Sequence, residues 1–216
     1  MEIKLEHVTK RIKGVPVLQD VTKTFTGGCI YGLSGKNGCG KTMLMRTMAG
    51  LIYPTSGVVK INGKILGKDI SFPPSMGLLI ENPAFLRGYT GLENLEILAK
   101  VQGGVPKDEI RATLEQVGLD PDDRRKYYKY SLGMRQRLGI AQAIMEDPKL
   151  LILDEPFNGL DKHGVGEIRK LLLELKEEGK TILLASHNEE DIRILCDEVY
   201  EMDGGVLRKC EDEIRK

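Results

Sequence analysis

Two short stretches of this chain carry residue types that handle a polyphosphate. Residues 35 to 42 read Gly35-Lys36-Asn37-Gly38-Cys39-Gly40-Lys41-Thr42 and fit the pattern G-x-x-x-x-G-K-[ST] without a mismatch. Glycines at 35, 38 and 40 let the backbone curl so that successive N–H groups point inward at an anion. Lys41 supplies a cation for the β- and γ-phosphates, and Thr42 a hydroxyl for Mg2+. The second stretch is Leu150-Leu151-Ile152-Leu153-Asp154-Glu155, an apolar run ending in two carboxylates. Held at a strand end, Asp154 can bind Mg2+ through water, and Glu155 can polarise a water for in-line attack on a γ-phosphate. A nucleoside triphosphate with Mg2+ is the expected ligand.

These groups need a rigid scaffold, and the hydrophobic pattern predicts one. Residues 29–33 form a short apolar run bounded by glycine, as a buried strand requires, and 43–49 read as a helix stopped by Gly50. The helix N-terminus then faces the anion. Residues 2–7 and 15–25 alternate loosely and predict an antiparallel pair around Lys13-Gly14. Short strands follow at 58–61, after the turn Pro54-Thr55-Ser56-Gly57, and at 76–80. Asn62-Gly63 is a tight-turn signal between them. From 90 to about 147 the pattern is helical. Thr90-Gly91-Leu92-Glu93 is a capping box, a second helix covers 107–117 before Gly118, and a third starts near Ser131. The rest alternates: strand 150–153, helix 162–178, strand 181–185, helix 189–196 and a hairpin around Gly204-Gly205. Strands alternating with helices give a parallel α/β core. The reading is a single domain over 1–216, with an inserted helical subdomain at about 87–147.

Bulk properties narrow the class. A chain of 216 residues can bury the core of one large α/β domain. Lys plus Arg is 32 and Asp plus Glu is 32, so the formal net charge is zero, and no nucleic-acid partner is expected. No apolar run approaches the roughly 20 residues that cross a bilayer. The N-terminal Met1-Glu2-Ile3-Lys4 is charged where a signal peptide is apolar. A cytosolic location, free or on the cytosolic face of the membrane, is expected. The four cysteines (Cys29, Cys39, Cys196, Cys210) lack metal-site spacing and read as reduced thiols. Cys39 sits inside the phosphate loop beside Lys41 and a helix N-terminus, surroundings that make thiols reactive. Alkylation is therefore expected to block nucleotide binding, and ATP to protect.

A third stretch, Tyr130-Ser131-Leu132-Gly133-Met134-Arg135-Gln136, lies just ahead of the acidic strand. Together with the phosphate loop and Asp154-Glu155, it resembles the ATP-binding subunits of ABC transporters, and the resemblance covers essentially the whole chain. It corresponds to that family's LSGGQ signature, with Ser131 and Gly133 kept and Leu132 and Met134 replacing Gly and Gln. The resemblance implies the ABC ATPase fold: a P-loop NTPase core with an antiparallel β subdomain and an inserted α-helical subdomain. It also implies that two subunits, identical or different, clamp two ATP molecules head to tail. The 131–134 stretch of one then faces the phosphate loop of the other. Asn158-Gly159-Leu160-Asp161 is similar to the D-loop that crosses the dimer interface. Ser186-His187 is similar to the switch segment whose histidine senses the γ-phosphate. His7 and His163 have no such counterpart and read as ordinary residues.

Three further sites depart from the family pattern. Ile80-Glu81-Asn82-Pro83 has Glu81 where most members place a glutamine that touches Mg2+ and the attacking water. Ile-Glu-x-Pro, the Thr-Gly-Leu-Glu-Asn-Leu helix start and the Ser-Leu-Gly-Met-Arg-Gln-Arg stretch are similar to exporters of the bacitracin-resistance and lantibiotic-immunity type. Glu81 would bind the ion with a fuller charge than an amide oxygen carries. Glu81→Gln is expected to keep ATP binding and alter coupling to transport. Arg11-Ile12-Lys13 stands where the family stacks an aromatic on adenine, which leaves Ile12 or Arg11 for the base. Weaker discrimination between ATP and GTP follows. Met43 replaces a second loop hydroxyl and removes a contact to the α-phosphate.

The resemblance further implies an integral membrane permease on a separate chain, reached through the 81–89 loop and the helical insert. Two other readings stay open: a soluble ABC-type ATPase acting on ribosomes, DNA or iron–sulphur assembly, and a P-loop kinase with a small-molecule acceptor. The chain has neither the doubled domain of ribosomal members nor the long coiled coil of DNA-repair members. Nothing in it resembles a kinase acceptor site.

Overall fold

Unbroken apolar runs and loose alternation separate two kinds of strand in this chain. A computed structural model describes residues 1–81 and 84–210. Asn82 and Pro83 of the Ile-Glu-x-Pro stretch lie outside the described residues, as do the last six residues of the expected domain. The alternating segments β1 (Ile3–Ile12), β2 (Val15–Phe25), β4 (Ser56–Ile61) and β5 (Lys64–Ile65) build an antiparallel sheet in the order β2-β1-β4-β5. The apolar runs β3 (Cys29–Ser34), β6 (Met76–Leu79), β7 (Leu150–Asp154) and β8 (Thr181–Ala185) pair in parallel. A hairpin of β9 (Glu198–Asp203) and β10 (Val206–Lys209) extends them, in the order β10-β9-β3-β8-β7-β6. Asn62 and Gly63 both take left-handed dihedrals, φ 47° and 79°, as the β4–β5 turn requires.

Runs without alternation need cover on both faces, and β7 shows how it is supplied. Leu150 and Ile152 point into one core, with Ile3, Leu5 and Leu44 from the antiparallel sheet and the first helix. Leu151 and Leu153 point into another, with Leu95, Leu138, Ile140 and Leu172 from the later helices. The strand period of two sorts them. Each fully buried leucine contributes about 1.5–3 kcal/mol of burial energy, so the central strands are fixed in register from both sides. The helices are α1 (Lys41–Met48), α2 (Gly91–Gln102), α3 (Lys107–Gln116), α4 (Leu132–Ile144), α5 (Lys162–Glu177) and α6 (Glu189–Leu195). Three of them, α2 to α4, lie between β6 and β7 in sequence.

Local signals set the helix ends. Thr90 forms the expected capping box: its hydroxyl accepts the Glu93 N–H at 3.2 Å, and its own N–H donates to the Glu93 carboxylate at 2.6 Å. The Ser131 hydroxyl accepts the Met134 N–H at 3.2 Å and starts α4. The hairpin β1–β2 is longer than the alternation of 2–7 indicated, because β1 runs on to Ile12. Left-handed dihedrals at His7 and Asp20 (φ 53° and 49°) mark register shifts in that pair, and the two side chains meet at 2.8 Å.

Candidate active site

Strand register decides which side chains meet. Leu33 of β3 and Asp154 of β7 both pair with Ala185 of β8. The residues that follow, Ser34-Gly35, Glu155 and Ser186-His187, therefore leave three adjacent parallel strands at the same height. That height is the C-terminal edge of the sheet, where open α/β folds bind ligands.

The phosphate loop follows from its glycines. Gly35 and Gly40 have φ of 132° and 118°, conformations an L side chain resists. Space excludes a side chain as well. A Cβ at Gly35 would overlap the carbonyl of Met202, and one at Gly40 would stand 2.8 Å from the Val17 oxygen. Gly40 turns the chain into α1, whose first residue, Lys41, folds back over the loop. Its Nζ donates to the carbonyls of Gly35 (2.5 Å) and Lys36 (3.2 Å). The loop thus closes on a cation at the N-terminus of an eight-residue helix, a cradle suited to phosphate oxygens.

A cleft of about 410 Å³ opens above this loop. Lys36, Asn37, Gly38, Gly40, Lys41, Thr42 and Met43 line one wall, and Glu81, Asp154 and Glu155 the other. Across it, the Thr42 hydroxyl donates to Asp154 Oδ2 at 2.7 Å. Two hard oxygen donors therefore stand together beside the loop, a set that fits Mg2+. That ion takes few protein ligands and completes its octahedron with water and phosphate. Among the described residues no group of three or more His, Cys, Asp and Glu could hold a metal by itself.

Glu155 is held from several sides. Its φ is 51°, left-handed for a non-glycine residue, a strain of about 1–3 kcal/mol that surrounding bonds must offset. Its N–H donates to Ala185 O at 2.9 Å, and its carbonyl accepts from Gln136 Nε2 at 3.0 Å. The carboxylate Oε2 lies 2.7 Å from His187 Nδ1. A carboxylate only accepts, so Nδ1 carries the hydrogen in this pair. Gln136 belongs to the signature-like stretch, and the sequence alone assigns it no role. It is 5% exposed and lines the cleft, holding the Glu155 backbone from α4.

The remaining expected residues fall into place unevenly. Glu81, at φ 60°, lines the cleft, and its Oε1 accepts from Arg46 Nη2 of α1 at 2.5 Å. Ile12 is 42% exposed at the end of β1 and does not line the cleft, whereas Val17 does. At the start of α4, Gly133 approaches the D-loop segment so closely that a Cβ on it would meet the Gly159 oxygen at 2.7 Å. Leu132 lies against Gly159 yet is 59% exposed. Asp161 caps α5 through the Gly164 N–H at 2.8 Å. His163 pairs with Glu167 at 3.3 Å on the exposed face of α5.

Cys39 has a sharper consequence. Its thiol is 4.0 Å from Lys41 Nζ, packs against the core and would touch a Gly35 Cβ at 2.9 Å. An alkyl group on it would stand inside the loop beside Lys41. N-ethylmaleimide is expected to abolish ATP binding, prior ATP to protect, and Cys39→Ser to resist. Burial pushes the Cys196 thiol up to about 12, which suppresses labelling there. If Cys39→Ser is inactivated as fast as the parent, the damage lies at another residue.

Comparison with known proteins gives one consistent picture. A match to the family described as ABC transporter spans residues 18–158. An uncharacterized ABC transporter ATP-binding protein of Bacillus subtilis, YybJ, is 47% identical over 214 residues, covering 99% of this chain and 98% of that protein. The bacitracin transport ATP-binding protein BcrA of Enterococcus faecalis is 44% identical over 207 residues, covering 95% of this chain and 67% of that protein. Among solved structures, the dimeric bacterial ABC transporter cassette MJ0796 superposes with a TM-score of 0.89 at 25% identity, over 97% of this chain and 98% of that one.

Proposed function

The chain belongs to the ABC transporter family as an ATP-binding subunit with ATPase activity, and from that premise we propose that it drives an exporter. In this reading ATP closes a dimer of such subunits, hydrolysis reopens it, and the motion works a permease carried on a separate chain. The domain is single over 1–216, with the helical subdomain at about 87–147, and sits on the cytosolic face of the membrane. No helix among the described residues is long and apolar enough to cross a bilayer, and in this reading the partner carries the transmembrane path. The relation to a bacitracin transport protein favours an antimicrobial peptide or drug as cargo. The dimeric cassette it resembles favours a second ATP-binding subunit.

The observation that carries the hydrolytic reading is a pair of 2.7 Å contacts, Thr42–Asp154 and Glu155–His187, which join the start of α1 and the ends of β7 and β8 beside one phosphate loop. Thr42 and Asp154 would hold Mg2+, which when bound neutralises charge on the β- and γ-phosphates. The loop N–H groups and Lys41 bind and orient the phosphates. Glu155 accepts a proton from the attacking water as its oxygen bonds to the γ-phosphorus. The bond to the β-phosphate oxygen breaks, leaving ADP and inorganic phosphate. His187 holds Glu155 in place through Nδ1 and presents its other nitrogen to the γ-phosphate. The 131–134 stretch would close the site of the opposite subunit.

Glu81 adds a carboxylate to a site that must accept a tetra-anion, and Arg46 offsets it. The pair is 33% and 63% exposed, so it is worth under about 1 kcal/mol. Arg46→Met is expected to weaken ATP binding by up to about five-fold, and the added Glu81→Gln to restore it. Titration calorimetry at low salt reads both, and equal weakening in the presence and absence of Glu81 would discard the charge account. Glu81→Gln alone should bind ATP normally and transport abnormally.

The exporter reading is tested by purifying the protein from its own cells after gentle detergent extraction. A multi-span membrane protein in near-equal amount is expected. Ribosomes or a soluble scaffold, with ATPase activity intact, would replace it with a soluble role.

A further inference from the structure

His187 is 69% exposed through its side chain, and it meets Glu155 twice, from Nδ1 at 2.7 Å and from its N–H at 3.4 Å. Packing cannot hold so exposed a ring; its backbone must. That backbone is tied to a buried charge that the hydrolytic scheme does not use. Asp191 of α6 is 1% exposed. Its Oδ1 accepts from Arg169 Nε (2.9 Å) and Nη2 (2.5 Å), and its Oδ2 accepts from the Ser186 hydroxyl at 3.1 Å. The Ser186 oxygen in turn accepts the Asn188 N–H at 3.1 Å. The residues on both sides of His187 are thereby anchored to one carboxylate.

Arg169 comes from α5 and also reaches Glu190 at 3.3 Å. Two residues earlier on the same helix, Glu167 accepts from Arg137 of α4 at 2.8 Å. A single helix is thus clamped by arginine pairs to the signature helix on one side and to the His187 loop on the other. A buried ion pair gives little net stability over an apolar one, but it does fix one geometry.

We propose that Asp191 and Arg169 are positioning residues for His187, setting the height of the 186–188 loop so that the imidazole meets Glu155. The inference rests on the hydrolytic reading above. Asp191→Asn removes the charge that holds Arg169 and puts an NH2 in place of one of the oxygens that anchor Arg169 and Ser186, which loosens the loop. Misplacement of a catalytic group by about 1 Å costs up to about a hundred-fold in rate.

The test is a double-mutant cycle between Asp191→Asn and His187→Ala, reading kcat for ATP hydrolysis and ATP affinity separately. Asp191→Asn is expected to lower kcat about ten-fold or more with ATP affinity nearly unchanged. In the His187→Ala background it should lower kcat less than about two-fold further. Equal losses in both backgrounds, or affinity falling with kcat, would overturn the proposal. Should Asp191→Asn melt early, Ser186→Ala removes only the hydroxyl link and must show the same dependence on His187. A His187→Ala protein with unchanged kcat would instead remove the hydrolytic role of His187, and the inference with it.

Discussion

Glu155→Gln lowers single-turnover ATP hydrolysis by about a hundred-fold or more, while ATP affinity stays within a few-fold of the parent. The change is nearly isosteric and leaves the backbone as it is, because the bonds from Ala185 and Gln136 go to main-chain atoms. The amide oxygen still accepts from His187 Nδ1. What disappears is the carboxylate that takes the proton of the attacking water in the proposed hydrolysis. The binding machinery of Lys41, Thr42 and Asp154 is untouched, so the nucleotide is bound and not consumed. If ATP closes a dimer, this variant accumulates it, and gel filtration with and without ATP reads that directly. A loss of less than about three-fold would mean that the base is another group.

Much of this site can be read from residue order, because its parts are consecutive. The phosphate loop is eight residues in a row, and Asp154 and Glu155 end a run whose burial on both faces any apolar pattern predicts. The capping box at Thr90 and the stop at Gly50 are local signals too, and local physics fixed them. What stayed hidden depends on contacts between distant segments. Gln136 meets Glu155 across 19 positions, and nothing in its neighbours distinguishes it from an exposed helix residue. Arg46 meets Glu81 across 35, so the counter-ion of the unusual carboxylate had no sequence signature. The resemblance leaves Ile12 or Arg11 for the base, and Val17 on the facing strand, which no motif singles out, lines the cleft. The longer reach of β1 was missed because the turns in its register at His7 and Asp20 break the alternation on which strand reading depends.

Gly77→Ala is expected to destabilise the fold by about 3 kcal/mol, lowering Tm by about 6–12 °C, although it adds one methyl group. Gly77 lies buried in β6, where α4 crosses it. A Cβ there would overlap the carbonyl oxygen of Ala143 and stand 2.7 Å from Leu151 Cδ2. The first obstacle is backbone, so no rotamer change relieves it, and α4 has to move away from the sheet. That helix starts at Ser131 and carries Gln136, whose 3.0 Å bond holds the strained Glu155. Hydrolysis should therefore fall even at temperatures where the variant remains folded, whereas loss of stability alone would leave the rate of the folded fraction intact. Gly166 is the control: it is an exposed position within α5 with open space around its Cβ, and alanine there should raise stability by about 0.5–1 kcal/mol. A calorimetric Tm for Gly77→Ala within about 2 °C of the parent would mean that α4 can back away without cost. The close approach of strand and helix would then have no part in holding Gln136 against the Glu155 main chain.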